Sequence, residues 1–230
     1  MKILLFYSSH RQLKEFELSS GFFNRFKFLK PITDVMIYCD NNLISIDQIK
    51  ECARYEARSV EIIKGDQVFP SGINTGISGN GIHIGLGKCF NRFMEYDYVI
   101  NMVPDCYITD DSEIWKLLQE EEKSENNFIV DYHPYLNHSS LTQFCCDFFV
   151  FKPKNITNIF NELDMSNLLT PESFIYSKIM EYNIKHRIIQ RVGSVYWNID
   201  NFGMIHNHNL SRISKILYDD IDDKNLKHDG

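Results

Sequence analysis

The chain has 230 residues, of which 43% are hydrophobic, 13% aromatic and 24% charged. This is the length of one sizeable domain, and the apolar fraction supports a buried core and excludes a disordered chain. No run of 18 apolar residues occurs, so no membrane-spanning helix is predicted. The formal net charge of −7, with Lys and Arg scattered along the chain, argues against a nucleic-acid partner.

The six cysteines indicate neither a zinc ribbon nor a disulfide scaffold. None forms a Cys-x-x-Cys pair, and most lie within apolar segments. The apolar start of the chain, over residues 2–7, has no cleavage-site pattern behind it and is typical of a first strand rather than a signal peptide. We therefore expect reduced, mostly buried thiols in a cytoplasmic protein.

Strand and helix patterns alternate in the first part of the chain. A continuous apolar run over residues 2–7 predicts a strand buried on both faces, and three-to-four spacing of apolar residues over 12–29 predicts a helix. Strands over 34–39 and 59–64 flank a helix over 46–57. This order predicts parallel strands with right-handed crossovers, as in a doubly wound α/β sheet.

Seven of the eleven glycines fall between Gly65 and Gly87. Up to Gly81 they predict a loop, and the apolar spacing that follows predicts a helix from near Asn80 to Phe93. The loop matches neither the dinucleotide-binding fingerprint nor a P-loop, because no tight strand–helix turn precedes it and no Lys-Ser/Thr pair ends it. A plain surface loop is the alternative interpretation.

The second half predicts a sheet that becomes mixed. Strands over 126–135 and 141–153, separated by a polar loop, can pair antiparallel. The other predicted elements are a strand over 96–102, helices over 111–122, 155–163, 170–182 and 210–218, and a strand over 186–192. Residues 219–230 carry five Asp against two Lys, so we expect one domain over 1–218 and an acidic, flexible tail.

Polar residues follow three of the predicted strands, where an open parallel sheet binds its ligands. Ser8 and Ser9 follow the first strand, Asp40 follows the second, and Asp105 follows the strand over 96–102. A single acid after a strand is more often a turn former than a ligand. Three such strand ends in chain order, together with a glycine-rich loop, favour a binding site.

The order of these segments resembles GT-A fold glycosyltransferases over about residues 1–210. The resemblance lies in a polar first strand end, the loop bearing Asn74 and Gly76, and the segments NGIHIGLGKCFNRF, YDYVINMVPDCYI, FCCDFFVFKP and TPESFIYSKI. It implies a Rossmann-type, mostly parallel central sheet flanked by helices, with a mixed C-terminal part. It also implies transfer of a sugar from a nucleotide-diphosphate sugar to a carbohydrate acceptor hydroxyl, in glycan or surface-polysaccharide synthesis.

In that family an Asp-x-Asp motif after the hydrophobic strand holds a divalent cation on the donor diphosphate. The matching triplet here is Val103-Pro104-Asp105, which keeps only the second Asp. The resemblance implies Mn²⁺ or Mg²⁺ at Asp105, and Val103 leaves a degenerate or metal-independent site open. His206 and His208, which would point the same way on a strand, are the other expected ligands; a surface His-x-His without metal is the alternative.

The resemblance also assigns residues to the donor and to the acid–base step. Asp147 and Glu172 are the candidate bases; we favour Asp147, because a carboxylate in an apolar strand needs a polar role, whereas Glu172 also suits a helix N-terminus. For Tyr38 we favour the alternative role of a core aromatic on a strand. The expected donor-binding residues are Ser8, Ser9, Tyr38, Asp40, Asn74, Gly76 and Asp105.

Two other functions remain open from the sequence. A catalytically silent module of the same fold, binding a glycan or a partner, would account for Val103 at the motif's first position. A sugar-phosphate nucleotidyltransferase would share the strand-and-glycine-loop layout. It would, however, carry a glycine-rich loop with a basic residue directly after the first strand, where this chain has SSHRQLK without glycine.

Overall fold

Two sheets and six α-helices make up the described part of the molecule. They are seen in a computed structural model that describes residues 1–9, 13–39, 44–65, 77–132, 144–162, 171–190, 199–207 and 209–218. The predicted tail over 219–230 lies outside these residues.

Seven strands form the central sheet: β1 (Ile3–Ser9), β2 (Thr33–Cys39), β3 (Val60–Lys64), β4 (Tyr98–Met102), β6 (Phe128–Tyr132), β7 (Phe144–Phe151) and β8 (His186–Ile189). Two short strands, β5 (Cys106–Ile108) and β9 (Met204–His206), pair separately. The helices are α1 (Leu13–Asn24), α2 (Ile46–Cys52), α3 (Ile77–Phe93), α4 (Ser112–Glu121), α5 (Pro171–Glu181) and α6 (Leu210–Tyr218), with 3-10 turns at Lys30–Ile32, Pro153–Asn155 and Ile159–Glu162.

The central sheet has the strand order β3-β2-β1-β4-β7-β6-β8. β1 pairs parallel with both β2 and β4, and β2 pairs parallel with β3. β7 pairs antiparallel with β4 and β6, and it alone among these seven strands runs against the others. The predicted α/β class, with a mostly parallel sheet and a mixed C-terminal part, is confirmed.

The centre of the sheet forms the main core. All seven residues of β2 and all five of β4 are buried, so the continuous apolar runs mark strands covered on both faces. A tight group of phenylalanine rings lies under α3 and β7, with Phe90 stacked near Phe151 and Phe93 edge-on to both Phe6 and Phe151.

Helix α1 ends at Asn24, five residues before the predicted end. The chain turns away because the carboxylate of Asp111 accepts hydrogen bonds from the backbone N–H groups of Lys27 (3.1 Å), Phe28 (2.8 Å) and Leu29 (2.7 Å). Asp111 is the N-cap residue of α4, but its side chain makes no capping bond to that helix. Its role is to fix the turn after α1.

Other element bounds also differ from the predictions. Helix α2 ends at Cys52 rather than at residue 57, and α3 begins at Ile77, before the predicted Asn80. In the described part of the helix predicted over 155–163, which ends at residue 162, the only helical structure consists of 3-10 turns. Within the described ranges, no helix combines the length and apolar character that crossing a bilayer requires. Cys39, Cys52, Cys89 and Cys106 are free thiols.

Gly85 allows α3 to lie directly on the ends of β1 and β2. A Cβ atom at this position would come within 2.7 Å of Tyr38 Cδ1 and 2.8 Å of Ser8 Oγ. Both neighbours are buried, so neither can swing aside into solvent.

We expect Gly85→Ala to lower the free energy of unfolding by roughly 1–3 kcal/mol, although alanine favours helix by about 1 kcal/mol over glycine. Urea denaturation followed by circular dichroism measures the change. Lys88→Ala, at an exposed position of the same helix, is the control and should stay within about 0.5 kcal/mol of wild type. Equal stability of Gly85→Ala and wild type would contradict the close packing.

Candidate functional site

The strand pair β5–β9 connects two parts of the chain about a hundred residues apart. It is antiparallel, and Cys106 lies opposite His206. Next to this pair, the N–H of Asn207 donates to the carbonyl oxygen of Asp105 at 3.1 Å. Asp105 and His206 therefore lie side by side at the carboxyl end of β4. Sequence patterns did not predict this sheet, because three-residue strands show no measurable periodicity.

A tight turn before β9 sets its position. Asp200 Oδ1 accepts hydrogen bonds from the N–H groups of Phe202 (2.8 Å) and Met204 (3.0 Å). Gly203 has φ +66°, and its carbonyl accepts from both the N–H (2.7 Å) and the Oγ1 (2.9 Å) of Thr109. The turn thus joins the beginning of β9 to the end of β5, which fixes the height at which His206 stands.

A buried serine holds the segment that carries Asp105. Ser19 Oγ, on α1, donates to the carbonyl oxygen of Pro104 at 3.0 Å. Sequence analysis did not single out Ser19. The sequence offered only a weak signal, a small polar residue directly after the apolar Leu18 in a predicted helix. The structure shows that this part of the helix is buried.

Asp147 completes the cluster from the neighbouring strand β7. The N–H of Val103 donates to the carbonyl oxygen of Asp147 at 3.1 Å, which extends the β4–β7 pairing by one residue. Asp147, one of the two predicted bases, therefore lies beside Asp105 and His206, two of the predicted metal ligands.

The imidazole of His206 stands between two carboxylates. Its Nδ1 is 2.9 Å from Asp147 Oδ2, and its Nε2 is 3.5 Å from Asp105 Oδ2. The side chains of Asp105 and His206 are 2% and 8% exposed, and that of Asp147 is 18% exposed. We call these three residues the acid–imidazole cluster. Of the three, Asp147 is the most open to solvent.

The two carboxylates raise the pKa of His206 to about 10. Burial alone acts in the opposite direction, because it penalises the charged imidazolium, but the negative charge of Asp147 and the contact with Asp105 outweigh it. At neutral pH without a cation the cluster holds an imidazolium and two carboxylates, with a net charge of −1.

Asp105 and His206 suit a hard or borderline divalent cation. Two ligand atoms about 2.1 Å from one metal ion lie about 3.0–3.5 Å apart, which matches the separation of Asp105 Oδ2 and His206 Nε2. No group of three or more Cys, His, Asp or Glu among the described residues is arranged around a metal position. The described part of the chain therefore offers two ligands, which is usual where diphosphate and water oxygens supply the others.

The predicted donor-binding residues are only partly described. Ser8 and Tyr38 are buried beneath α3, 4% and 1% exposed, and Tyr38 lies in the core, as the alternative interpretation holds. Ser9 ends β1, and Glu172 lies in the first turn of α5; their side chains are outside the description. Four further predicted residues lie entirely outside the described part of the chain: Asp40, Asn74, Gly76 and His208.

No protein-family model matches the sequence, and no curated protein matches it. Solved structures do match. One is a Desulfovibrio desulfuricans protein assigned as a nucleotide-diphospho-sugar transferase, with TM-score 0.50 and 10% identity, covering 85% of this chain and 84% of that one. Another is mouse xyloside xylosyltransferase 1, with TM-score 0.50 and 11% identity, covering 90% and 97%.

A third match is a Bacillus anthracis protein assigned as a glucose-1-phosphate thymidylyltransferase, solved with a sucrose. It has TM-score 0.58 and 12% identity, and the match covers 95% of this chain and 96% of that one. The fold is GT-A-like. At identities of 10–12%, the likeness concerns the fold, and the function must be argued from the site.

His206→Gln should change how stability depends on pH. A pKa raised from 6.5 to about 10 means that the imidazolium's stabilisation is complete below pH 6.5 and is lost as the pH rises toward 10. At pH 6.5 we expect the variant to be about 3–5 kcal/mol less stable, because two buried carboxylates lose their counter-charge. The difference in unfolding free energy between wild type and variant should narrow steadily from pH 6.5 to pH 10. Urea unfolding in EDTA buffer measures this difference. A difference that stays constant with pH would contradict the assigned protonation of His206.

Gly203→Ala should loosen the turn that places His206. Its φ of +66° is unfavourable for alanine, and a Cβ would collide with the carbonyl oxygen of Asp110. We expect a loss of about 2–4 kcal/mol in unfolding free energy. Asn183→Gly is the control, since Asn183 is the other position with positive φ in the described part of the chain. Its unfolding free energy should stay within about 1 kcal/mol of wild type. Thermal denaturation of both variants tests this; equal losses would refute a specific role for the turn.

Proposed function

We propose that the chain is a glycosyltransferase that moves a sugar from a nucleotide-diphosphate sugar to a carbohydrate acceptor hydroxyl, in glycan or surface-polysaccharide synthesis. The observation that carries the proposal is the pairing of Asp105 with His206 at the carboxyl end of β4, in a GT-A-like fold. In open α/β sheets, ligands bind at this edge.

The charge of the cluster supports a cation-assisted donor site. Two carboxylates and one imidazolium repel a diphosphate, so the donor needs a positive partner there. Asp105 and His206, the latter after release of its Nε2 proton, would hold Mn²⁺ or Mg²⁺, which would offset negative charge on the leaving nucleoside diphosphate. The protein's own contribution is to fix the two ligand atoms, Asp105 Oδ2 and His206 Nε2, 3.5 Å apart.

The acceptor hydroxyl must lose a proton during transfer with inversion. Asp147 and Glu172 are the two predicted bases. Asp147 is already in ionic contact with the ring of His206, so its charge is compensated before an acceptor arrives. We therefore assign the base role to Glu172, which lies in the first turn of α5.

Sugar-phosphate nucleotidyl transfer is the second candidate function. The likeness to the thymidylyltransferase-assigned structure, at TM-score 0.58, favours it. Against it stands the segment after β1, which has no glycine to bring backbone amides around a triphosphate.

A donor screen tests the proposal. The purified chain is incubated with UDP-, GDP-, dTDP- and CMP-sugars in Mn²⁺, Mg²⁺ or EDTA, and released nucleotide is measured with and without simple sugar acceptors. A parallel arm offers nucleoside triphosphates with sugar 1-phosphates and measures pyrophosphate. We expect nucleotide release in Mn²⁺ or Mg²⁺, abolished by EDTA.

Asp105→Asn should lower kcat/KM for nucleotide release about 10²–10³-fold, since a cation's electrostatic stabilisation is worth several kcal/mol. Asp97→Asn is the matched control. It removes the same charge at the start of β4, where Asp97 accepts from the N–H of Lys2 and pairs with Lys154. Pyrophosphate release alone would establish the second candidate, and donor binding without turnover would indicate a silent binding module.

A further inference from the structure

We propose that Asp147 supplies, from β7, the carboxylate that the motif lacks at Val103. It acts as a positioning residue, through its contact with His206. The inference rests on the proposed function, because it concerns the same cation site. It assigns to Asp147 a role in holding a metal ligand rather than in accepting the acceptor's proton.

The strand pairing brings Asp147 to the place of the missing acid. Met102 lies opposite Phe148 in the β4–β7 ladder, and the next pair along is Val103 with Asp147, joined by the 3.1 Å bond from Val103 N–H to Asp147 O. Adjacent strands are about 4.8 Å apart. Asp147 thus brings a carboxylate to the strand directly beside position 103.

An irregularity in β7 falls at this residue. In the pairing of β6 with β7, Val130 lies opposite Phe149, but the next residue, Asp131, lies opposite Cys145. Between these two pairs β7 has three more residues than β6, and Asp147 is the middle one of the three. Bulges of this kind bend a strand and redirect its side chains. Here the redirected carboxylate meets the imidazole of His206.

The two carboxylates contact different ring nitrogens. Asp147 Oδ2 is 2.9 Å from Nδ1, whereas Asp105 Oδ2 is 3.5 Å from Nε2. Asp105 and Nε2 of His206 would hold the cation, whereas Asp147 contacts the other ring nitrogen. The negative charge of Asp147, in ionic contact with Nδ1, would keep the ring proton on that nitrogen and leave the Nε2 lone pair for the cation. Carboxylates that hold the second nitrogen of a metal-bound histidine act in this way.

Asp147→Asn tests this role, because it keeps the shape and removes the charge. Mn²⁺ affinity in the presence of UDP or GDP, measured from the free-Mn²⁺ electron paramagnetic resonance signal, should fall about 10- to 100-fold. Nucleotide release should fall at limiting Mn²⁺ and recover substantially at saturating Mn²⁺. Asp97→Asn, which removes an equal charge at the opposite end of β4, should match wild type in both measurements.

A catalytic base at position 147 would give the opposite result. Asp147→Asn would then keep wild-type Mn²⁺ affinity and lose turnover even at saturating Mn²⁺ and donor. That outcome would overturn the inference and leave the proposed function standing. Conversely, a wild-type chain that binds neither Mn²⁺ with nucleotide nor any sugar donor would overturn the proposed function itself.

A spectroscopic readout does not depend on activity. In ¹⁵N-histidine-labelled wild type, with His206→Gln used for assignment, Nδ1 of His206 should stay protonated when Mg²⁺ and UDP or GDP are added, and the Nε2 resonance should shift. A cation response at Nδ1 would refute the inference. In folded Asp147→Asn the Nδ1 resonance should move from its wild-type position; an unchanged resonance would equally refute it.

Discussion

One buried imidazole between two carboxylates is the interaction on which the site depends. Charged groups removed from water are costly unless they are paired, and a buried acid without a partner would destabilise the fold by several kcal/mol. Asp105, Asp147 and His206 satisfy one another, but only if three distant segments meet within hydrogen-bonding distance. Three features bring these segments together: the β5–β9 pair, the turn at Gly203 and the irregularity of β7. Burial of apolar surface alone would not require any of them.

The elements that can be predicted from the sequence are those that bury long apolar faces. The runs that became β1, β2 and β4 carry their own signal, because a strand covered on both sides is apolar at every position. The helix predicted over 210–218 coincides with α6, which buries Ile213, Ile216 and Leu217 on one face. Hydrophobic periodicity does not locate the end of a helix when that end depends on a remote side chain. Helix α1 ends at Asn24 because Asp111 binds the backbone of the turn that follows, and Asp111 lies more than eighty residues later in the chain.

The site shows the same division between local and remote causes. Asp105 and His206 were predictable as residue types that a cation would bind, and their closeness was an expectation of the resemblance. The 2.9 Å contact of Asp147 with the ring was not predictable, because it depends on extra residues in one strand relative to its neighbour. Such a register change leaves no trace in an apolar pattern as short as Phe144–Phe151.

The substitution of valine in the acidic motif follows from where each carboxylate can find a partner. Val103 is 8% exposed, so an acid at that position would be almost fully buried. The imidazole of His206 has two nitrogens, and they already face Asp105 and Asp147. A third carboxylate would take the cluster to a net charge of −2 with no counter-charge left in the ring, which is unfavourable in a low-dielectric site. An apolar side chain at position 103 and an acid on β7 therefore belong together: the first is tolerated because the second is present.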